Sequence, residues 1–338
     1  MNAEELAAAP RAYRWTDRLR QMPPPDARSG VAGVEARAGW PYARRRMKPA
    51  PFQYHAPTTI DEALDLLAEH GDDDGRVIAG GQSLVPTMAF RLAKPRHLVD
   101  INGIGELNYL EIKDGQLHIG AGVRHSAFEK PVDNGPLGRL LSEVVKHIAH
   151  HPIRARGTFC GSIAHADPAS EWCAVAAALD GDMLCESKRS GARLVPAREF
   201  FKSIMTTALR EDELLTEVRL PILPNDAYAG FAEFSRRQGD YAIAMAVVTY
   251  RLKGGVMSDM LRIAVGGAEA APRRIAEAER MLIGRPPNLG TFQSAAHAVI
   301  KAVRPLDDAN VSADYRLGIV RTMVTRALRN ANPAGTDE

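Results

Sequence analysis

The sequence predicts an α+β fold, with short helices and strands mixed along most of the chain and a block of strands followed by helices at its end. Three observations lead to this prediction. A segment with helical spacing, TTIDEALDLLAEHG, is followed by a short apolar run that ends in two glycines, RVIAGG. The pair Asp114-Gly115 separates two short apolar or alternating runs, which is typical of a β-hairpin. From Ala229 onward, three strand-like runs precede segments with helical spacing.

The first helix and the strands after it follow from local signals. Thr58 or Thr59 is predicted as the N-cap of a helix that ends at Gly71, and the apolar residues between them share one face. Strands are predicted at RVIAGG, HLVDI, LNYLEIKDG and QLHIGAGVR. The stretch from Pro136 to Ala149 has helical spacing and leads to a second glycine-bearing segment, RGTFCGSIAHADPASEW.

The rest of the chain contains a further helix and more strands. These are predicted at AVAAALDGDMLCES, SGARLVPAREF and ELLTEVRLP, with turns at Asp180-Gly181 and Ser190-Gly191. Strands follow at GFAEFSRR, YAIAMAVVTYRL and MLRIAVGGA, and a helix at AAPRRIAEAERMLIG. The segment ILPNDAYAG is rich in turn residues and is typical of a domain boundary. We therefore expect a separate C-terminal domain.

Composition limits the classes of function. A chain of 338 residues, 45% hydrophobic and 25% charged, has the composition of a soluble globular protein with two or three domains. Its formal charge of +2 creates no field that would attract a nucleic acid backbone. No segment approaches the ~20 apolar residues of a membrane span, and the N-terminus has no apolar signal region. We expect a cytoplasmic protein without a nucleic acid partner.

Residues 1–46 differ from the rest of the chain. They are rich in Pro, Gly, Ala and Arg and show no sustained period, which is typical of a disordered tail. Acidic residues are spread through the segment, unlike a transit peptide, and no apolar segment follows the arginines at 44–46. A start of translation at Met47 is the alternative interpretation.

The spacing of cysteine and histidine predicts no metal or cluster site in this chain. Its three cysteines include no CxxC pair, and their odd number indicates a reducing compartment. Iron–sulfur clusters usually need four thiolates, so any cluster is expected in a partner. His147 and His151 have a spacing that could hold a metal, but no HExxH motif or third ligand accompanies them, and a helix-end role is the alternative. Asp72 to Gly75 lacks the other ligands of a calcium loop and is predicted to be a solvated turn.

The two glycine-bearing segments are the strongest candidates for a binding site. Residues without Cβ let backbone amides approach a ligand and form a concave anion site, which suits a diphosphate. Gly80 and Gly81, with the Ser83 hydroxyl, meet that need. Thr158 to Ser162 could supply a second set of donors, so that two loops grip a dinucleotide. The alternative is that the glycine pair only makes a tight turn; neither segment matches GxGxxG or GxxxxGKS.

The segments RVIAGGQSLVPTM and HPIRARGTFCGSIAHADPASE resemble the two FAD-binding signatures of the medium, flavin-carrying subunit of molybdenum hydroxylases. This family includes carbon monoxide dehydrogenase, nicotine dehydrogenase and the flavin domain of xanthine dehydrogenase. The resemblance runs from Pro51 to about Leu328. It implies an FAD-binding domain of the PCMH type, the vanillyl-alcohol oxidase-like fold, at residues 47–223, with subdomains at about 47–105 and 106–223. A C-terminal domain of an antiparallel sheet and helices would occupy residues 227–330.

By position, the resemblance also implies the cofactor contacts. Ile78 to Leu84 would cradle the diphosphate of a non-covalently bound FAD, and Thr158 to Ser162 would lie against the diphosphate and flavin. Glu171 stands where the family contacts the ribose or adenylate end, and Leu215 where a leucine lines the isoalloxazine. The predicted cofactor-binding residues are Ile78, Ala79, Gly80, Gly81, Gln82, Ser83, Leu84, Thr158, Phe159, Gly161, Ser162, Asp167, Glu171 and Leu215.

Three local features bear on this assignment. Asp167 is predicted as the N-cap and Pro168 as the first residue of a helix whose positive end would favour a bound anion. Cys160 replaces the first glycine of a pair found in many relatives; a buried small side chain and a thiol facing the flavin are the two interpretations. Some relatives carry a lysine near the flavin where Ala232 or Glu233 falls here.

The resemblance implies an electron-transfer subunit of an oxidoreductase. Substrate would be hydroxylated at molybdenum in a large subunit, and electrons would cross two [2Fe-2S] clusters in a small subunit to FAD in this chain. A dimer of heterotrimers is expected, with a quinone, a cytochrome, oxygen or NAD as the electron acceptor. Because flavin itself performs the chemistry, no catalytic residue is predicted. The alternatives are a self-contained FAD-dependent oxidase or reductase of the same fold and an assembly scaffold without flavin.

Overall fold

The structure is a computed structural model that describes residues 48–308 and 311–332. The prediction of a tail or misplaced start at residues 1–46 therefore lies outside the described residues. Within those ranges helices and strands are mixed as the sequence predicts, and the chain is an α+β protein. The helices are α1 (Ile60–His70), α2 (Leu84–Ala89), α3 (Pro136–Val144), α4 (His151–Arg154), α5 (Phe159–His165), α6 (Glu171–Ala178), α7 (Ala197–Phe200), α8 (Ala276–Leu282), α9 (Leu289–Ala302) and α10 (Ala313–Ala331).

The strands form three main sheets and one two-stranded ribbon. They are β1 (Gln53–His55), β2 (Gly75–Ile78), β3 (His97–Asp100), β4 (Leu110–Lys113), β5 (Gln116–Gly120), β6 (Asp182–Ser187), β7 (Gly191–Pro196), β8 (Phe201–Ser203), β9 (Thr206–Thr207), β10 (Glu213–Pro221), β11 (Ala227–Phe234), β12 (Ala244–Lys253), β13 (Val256–Met257), β14 (Arg262–Gly266) and β15 (Arg273–Arg274). The first sheet is parallel, in the order β1-β3-β2. The second is antiparallel, in the order β4-β5-β10-β6-β7. The third is antiparallel and five-stranded, in the order β11-β12-β14-β15 with β13 also paired to β12, and β8 and β9 form the ribbon.

Local signals account for the first helix and hairpin. Thr59 is the N-cap of α1, and its side chain accepts a hydrogen bond from the Glu62 amide. The Gly71 amide closes the helix on Leu67 O. Between β4 and β5, Asp114 and Gly115 have φ values of 50° and 74°, which a two-residue hairpin of this type requires. Both sequence predictions are confirmed.

The helix predicted for Pro136 to Ala149 is shorter in the structure. Helix α3 ends at Val144, and the amides of residues 146–148 then bond to carbonyls three residues back, the tighter 3₁₀ pattern. Ala149 follows with φ 42°, a left-handed conformation that no helix continues through. The apolar spacing persists beyond the helix because Val145 and Ile148 are buried in the tightened turns.

Strand β12 is buried along most of its length and contributes to two hydrophobic cores. Met245 and Val247 face the core that contains α6 and the second sheet. Ala246, Val248 and Tyr250 face a second core, which the third sheet forms with α9 and α10. Alternate side chains of a strand point to opposite faces, so the third sheet is packed on both sides.

The C-terminal helices close the second core. Asn288 and Ser312 are the N-caps of α9 and α10, and each side chain accepts a hydrogen bond from an amide three residues later. Helix α10 lies across β11 and β12. None of the helices in the described ranges has the length and apolar character needed to cross a membrane.

Candidate functional site

The first glycine motif forms a loop pressed against the second. Strand β2 ends at Ile78, and a Cβ on Gly80 would lie 2.2 Å from Arg156 O and 2.6 Å from Gly157 Cα. Both obstacles are backbone atoms and cannot rotate away. Gly81 has φ +70°, a conformation that side chains rarely adopt. The glycine pair therefore serves a close approach of two backbone segments as well as a turn.

An open cleft of about 590 Å³ lies beside this loop. Its wall contains most of the first predicted motif together with residues from three other segments. The lining residues are Ile78, Ala79, Gly80, Gly81, Gln82, Val85, Pro86, Asn102, Arg124, Ala155 and Arg156. Ser83 and Leu84, which are also predicted cofactor residues, begin the short helix α2 beside the cleft. The cleft therefore lies between the first motif and the residues that directly follow α4.

Two arginines give the cleft a positive wall. Arg124 donates from Nη2 to Asn102 Oδ1 at 2.6 Å and from Nη1 to Arg156 O. Asn102 in turn donates to Ala79 O at 2.6 Å, which ties this network to the first motif. Burial and the neighbouring charge of Arg156 lower the pKa of Arg124. An arginine nevertheless stays charged because its ordinary pKa is above 12.

The second motif lies directly behind the first. A Cβ on Gly161 would be 3.9 Å from the Ala79 side chain, so the structure brings the two predicted motifs together. Thr158 is the N-cap of α5 and accepts the Gly161 amide at 3.0 Å. The Ser162 hydroxyl bonds to Ser170 Oγ at 2.8 Å. The Gly161 amide, expected as a ligand donor, is thus engaged inside the protein.

The start of α5 is built into the hydrophobic core. The Phe159 side chain is fully buried, with its ring centroid 4.7 Å from that of Trp172 and 5.4 Å from that of Phe128. The Cys160 thiol is buried and donates to Ile119 O at 3.3 Å, and burial raises its pKa well above the ordinary range. The interpretation of Cys160 as a buried small side chain is confirmed.

The prediction that Asp167 caps a helix beginning at Pro168 is wrong. Helix α6 begins at Glu171, and Ser170 is its N-cap, accepting the Cys173 amide at 3.4 Å. Asp167 instead accepts the Ala169 amide at 2.8 Å within the preceding turn. Ala166, the residue before Asp167, has a left-handed φ of 51° and is the C-cap that ends α5. This conformation fixes where the turn begins. The dipole of α6 therefore starts at Ser170 and not at Asp167.

Two buried carboxyl groups lie near the end of the second motif. Burial and the charge of Asp167 raise the pKa of Glu171. Burial and the charge of Glu171 raise the pKa of Glu233, whose two carboxyl oxygens have no hydrogen-bond partner among the described residues. The nearest basic group is His147, with Nδ1 3.9 Å from Glu233 Oε1. The Ala232 side chain packs into the second core, so Glu233 alone of this pair faces the motif side.

Leu215, the last of the predicted cofactor residues, is not among the residues that line the cleft. It lies on β10 and is 4% exposed. Strand β10 packs against α5, the helix of the second motif. The predicted cofactor residues omit Arg124, Asn102 and Arg156, which line the cleft. Arg156 begins the second glycine-bearing segment, whereas Arg124 and Asn102 lie outside both segments. No local pattern marks Arg124 and Asn102, since both are recruited through tertiary contacts.

Family models match almost all of the described chain. Residues 50–223 match the FAD binding domain in molybdopterin dehydrogenase, and residues 229–331 match the CO dehydrogenase flavoprotein C-terminal domain. The predicted fold class is thereby confirmed, as is FAD as the cofactor. The first match contains the cleft and both glycine motifs.

Curated relatives and solved structures agree with these matches. The 6-hydroxypseudooxynicotine dehydrogenase complex subunit alpha of Paenarthrobacter nicotinovorans is 40% identical over 84% of this chain and 96% of its own length. The nicotine 6-hydroxylase medium subunit of the same organism is 36% identical over 84% and 99%. Carbon monoxide dehydrogenase from Hydrogenophaga pseudoflava has a chain with a TM-score of 0.79 at 36% identity, covering 84% of this chain and 98% of that one. The chain therefore belongs to the family of FAD-binding oxidoreductase subunits of the molybdopterin dehydrogenases.

Proposed function

We propose that this chain is the medium subunit of a heterotrimeric molybdenum hydroxylase and carries electrons from the [2Fe-2S] clusters of a small subunit to an external acceptor. The observation that carries the proposal is the cleft where the Gly80-Gly81 loop meets the second glycine motif beside Arg124 and Arg156. Such a cleft suits a dinucleotide with an anionic diphosphate. A large subunit with the molybdenum cofactor would hydroxylate the substrate.

The residues of the cleft fit FAD. Backbone amides of a glycine loop and two guanidinium groups are the donors that a diphosphate requires. Ile78 to Leu84 would hold the diphosphate, and Thr158 to Ser162 would support it and the flavin from behind. Asp167 and Glu171 would lie towards the ribose or adenylate end, and Leu215 towards the isoalloxazine. When bound, FAD supplies two-electron acceptance and one-electron release.

The chain's own residues bind and orient the cofactor and act on no substrate. Thr158 and Asn102 hold the two loops in fixed positions through bonds to Gly161 and Ala79. The aromatic side chains behind α5 exclude water from the rear of the site. With its pKa raised, Glu233 keeps its proton at pH values where ordinary carboxyls are ionised, which avoids a bare buried anion near the cofactor.

The assembly and the domain limits belong to the same proposal. Relatives named as a complex subunit alpha and a medium subunit support a chain that works with partners. We expect a large molybdenum subunit, a small [2Fe-2S] subunit, a dimer of heterotrimers and a cytoplasmic location. The FAD-binding domain would span residues 47–223, with subdomains at about 47–105 and 106–223, and the C-terminal domain residues 227–330.

Affinity purification through a tag on this chain tests the proposal. The purified material should contain flavin and iron–sulfur absorbance and two further subunits in equal amounts. Omitting the large subunit should abolish reduction of the flavin by substrate and leave FAD bound. Turnover of substrate by the lone chain would contradict the proposal and favour a self-contained oxidase, and a colourless chain would favour an assembly scaffold.

A further inference from the structure

Three histidines from separate elements meet on one face of the first sheet. His55 ends β1, His97 begins β3 and His70 ends α1. His55 pairs in register with Val99, and residues 97 and 99 of one strand point to the same face. Helix α1 packs against β3, which places its last residue over His97. The cluster is thus created by the tertiary fold.

The ring nitrogens of these histidines are close together. His55 Nε2 and His97 Nδ1 are 3.1 Å apart, and one ligand nitrogen from each of the three lies within 4.8 Å of the others. The rings of His70 and His97 are stacked with centroids 4.0 Å apart. His97 is 6% exposed, whereas His55 and His70 are half-buried. The cluster is therefore partly accessible to solvent through His55 and His70.

A carboxylate lies behind one of the rings. Asp73 Oδ2 is 3.3 Å from His97 Nε2, on the side away from His55. A proton on Nε2 directed at this carboxylate leaves Nδ1 as the free electron pair that faces the cluster. A carboxylate behind a ligating imidazole is the usual outer partner in histidine metal sites, where it fixes the tautomer and the ring orientation.

A glycine in the sheet brings the end of α1 close to the histidines. Gly75 is paired with His97, and a Cβ there would lie 2.5 Å from His70 O, so the missing side chain lets α1 end close to the sheet.

We propose that His55, His70 and His97 bind one divalent transition-metal cation of the zinc type, with water in the remaining position. Zinc–nitrogen bonds of about 2.0–2.1 Å in a tetrahedral site place ligand nitrogens about 3.4 Å apart. His55 Nε2 and His97 Nδ1 are 3.1 Å apart and the three ligand nitrogens lie within 4.8 Å of one another, so rotation of the imidazole rings out of their stacked arrangement would complete the site. The cation would clamp α1 and β1 to β3 in a structural role.

This site is distinct from the proposed flavin function. It lies at the start of β2 and β3, since Gly75 and His97 are paired there, whereas Gly80-Gly81 follows the other end of β2. None of the three histidines lines the cleft. The cation would therefore stabilise the first sheet without touching the cofactor, and flavin content serves as an independent readout.

Cobalt titration of the full chain tests the site. The chain is purified with a tag that contains no histidine, stripped with a chelator and titrated with Co²⁺, whose ligand-field absorbance reports tetrahedral nitrogen coordination. We expect one Co²⁺ per chain, displaced by Zn²⁺. His70→Gln should raise the Kd more than about 100-fold and Asp73→Asn about 10–100-fold, the range for an outer carboxylate. His151→Gln is the matched control, because His151 is exposed and lies beside Glu129 outside the cluster; its Kd should equal that of the wild type.

A second measurement needs no substitution. Zn²⁺ should raise the Tm of the chelator-treated wild-type chain, because a cation that binds only the folded state stabilises it. FAD content should be the same before and after chelation. Absence of both a Co²⁺ band and a Zn²⁺-dependent Tm shift would overturn the site, as would unchanged Co²⁺ affinity in a folded His70→Gln chain.

Discussion

The two glycine motifs look alike in sequence but differ in how their backbones are used. Residues 77–84 of the first motif are half-buried, and residues 78–82 line a cleft. Beyond Arg156, the second motif enters the core: Thr158 to Cys160 are buried, and the Gly161 amide is already bonded to Thr158. The comparison indicates that the first motif provides the binding surface and that the second is the wall that fixes its position.

The largest expected effect comes from crowding the contact between the motifs. Gly80→Ala places a Cβ against the Arg156 carbonyl, and because backbone must move to admit it, the first loop shifts away from the second. We expect FAD affinity to fall at least about 100-fold, equivalent to roughly 3 kcal/mol. Equilibrium dialysis of FAD against the purified chain measures this loss.

Gly105→Ala is the matched control for this substitution. A Cβ at Gly105 meets nothing within 4 Å among the described residues, and its φ is not positive. Its FAD affinity should equal that of the wild type. Normal FAD binding by Gly80→Ala would show that the close approach of the loops does not position the cofactor.

A smaller loss is expected when the positive wall of the first motif is weakened. Arg124→Gln removes a charge and the bonds to Arg156 O and Asn102. Charged hydrogen bonds contribute about 1.5–3 kcal/mol, so FAD should bind about 10–100-fold more weakly. The dependence of FAD affinity on salt should also decrease. Arg139→Gln, an exposed position on α3, should change neither quantity; equal effects of the two substitutions would rule out a specific role for Arg124.

The buried carboxyls next to the second motif should affect stability in a pH-dependent way. With the pKa of Glu233 raised above its ordinary value of 4.5, the folded state holds a proton that the unfolded state releases as pH rises. Stability contributed by this group is complete below pH 4.5 and decreases as pH rises towards the folded pKa. Glu233→Gln imitates the protonated form and should remove this decline.

Urea unfolding at pH 5.5 and pH 8 measures the difference. Glu233→Gln should be more stable than wild type by on the order of 1–3 kcal/mol at pH 8, with a smaller gain at pH 5.5. Glu277→Gln, on the exposed side of α8, should shift stability equally at both values. A gain for Glu233→Gln that does not grow with pH would contradict a retained proton.

The smallest effect is expected from a substitution that tests whether the second motif only supports the first loop. Thr158→Ala removes the N-cap of α5 and frees the Gly161 amide. The free energy of unfolding should fall by about 1 kcal/mol, while FAD affinity changes less than twofold, because the cap supports the loop and does not bind the cofactor. Thr322→Ala on α10, whose hydroxyl bonds only within its own helix, is a control. A large loss of FAD affinity in Thr158→Ala would place its hydroxyl at the cofactor.

Much of the fold follows from local sequence because its signals are short-range. Thr59, Gly71 and the Asp114-Gly115 pair act on neighbouring residues, and each lies where the sequence predicts. The prediction of Asp167 as the N-cap of α6 was wrong because Asp167 and Ser170 both precede this helix and both residue types can act as N-caps. The choice between Asp167 and Ser170 depends on the left-handed Ala166 that ends the previous helix.

The candidate site was only partly predictable. Its glycines can be recognised in the sequence because a close backbone contact excludes residues with a side chain. Arg124 lies in the cleft through a hydrogen bond to Asn102, and no sequence spacing predicts that contact. The cluster of His55, His70 and His97 has the same origin. Sheet register and the packing of α1 bring these side chains together, and both depend on distant parts of the chain.

The double burial of β12 has a consequence for how the protein can be divided. Its alternating side chains belong to two cores at once, so neither core is complete without the same strand. Ending the chain between β10 and β11 would expose α6, the helix that contains Trp172, because α6 packs against β12 and β14. The described chain should therefore melt cooperatively, as a single calorimetric transition, and the flavin-binding portion should not fold when it is expressed as a separate fragment.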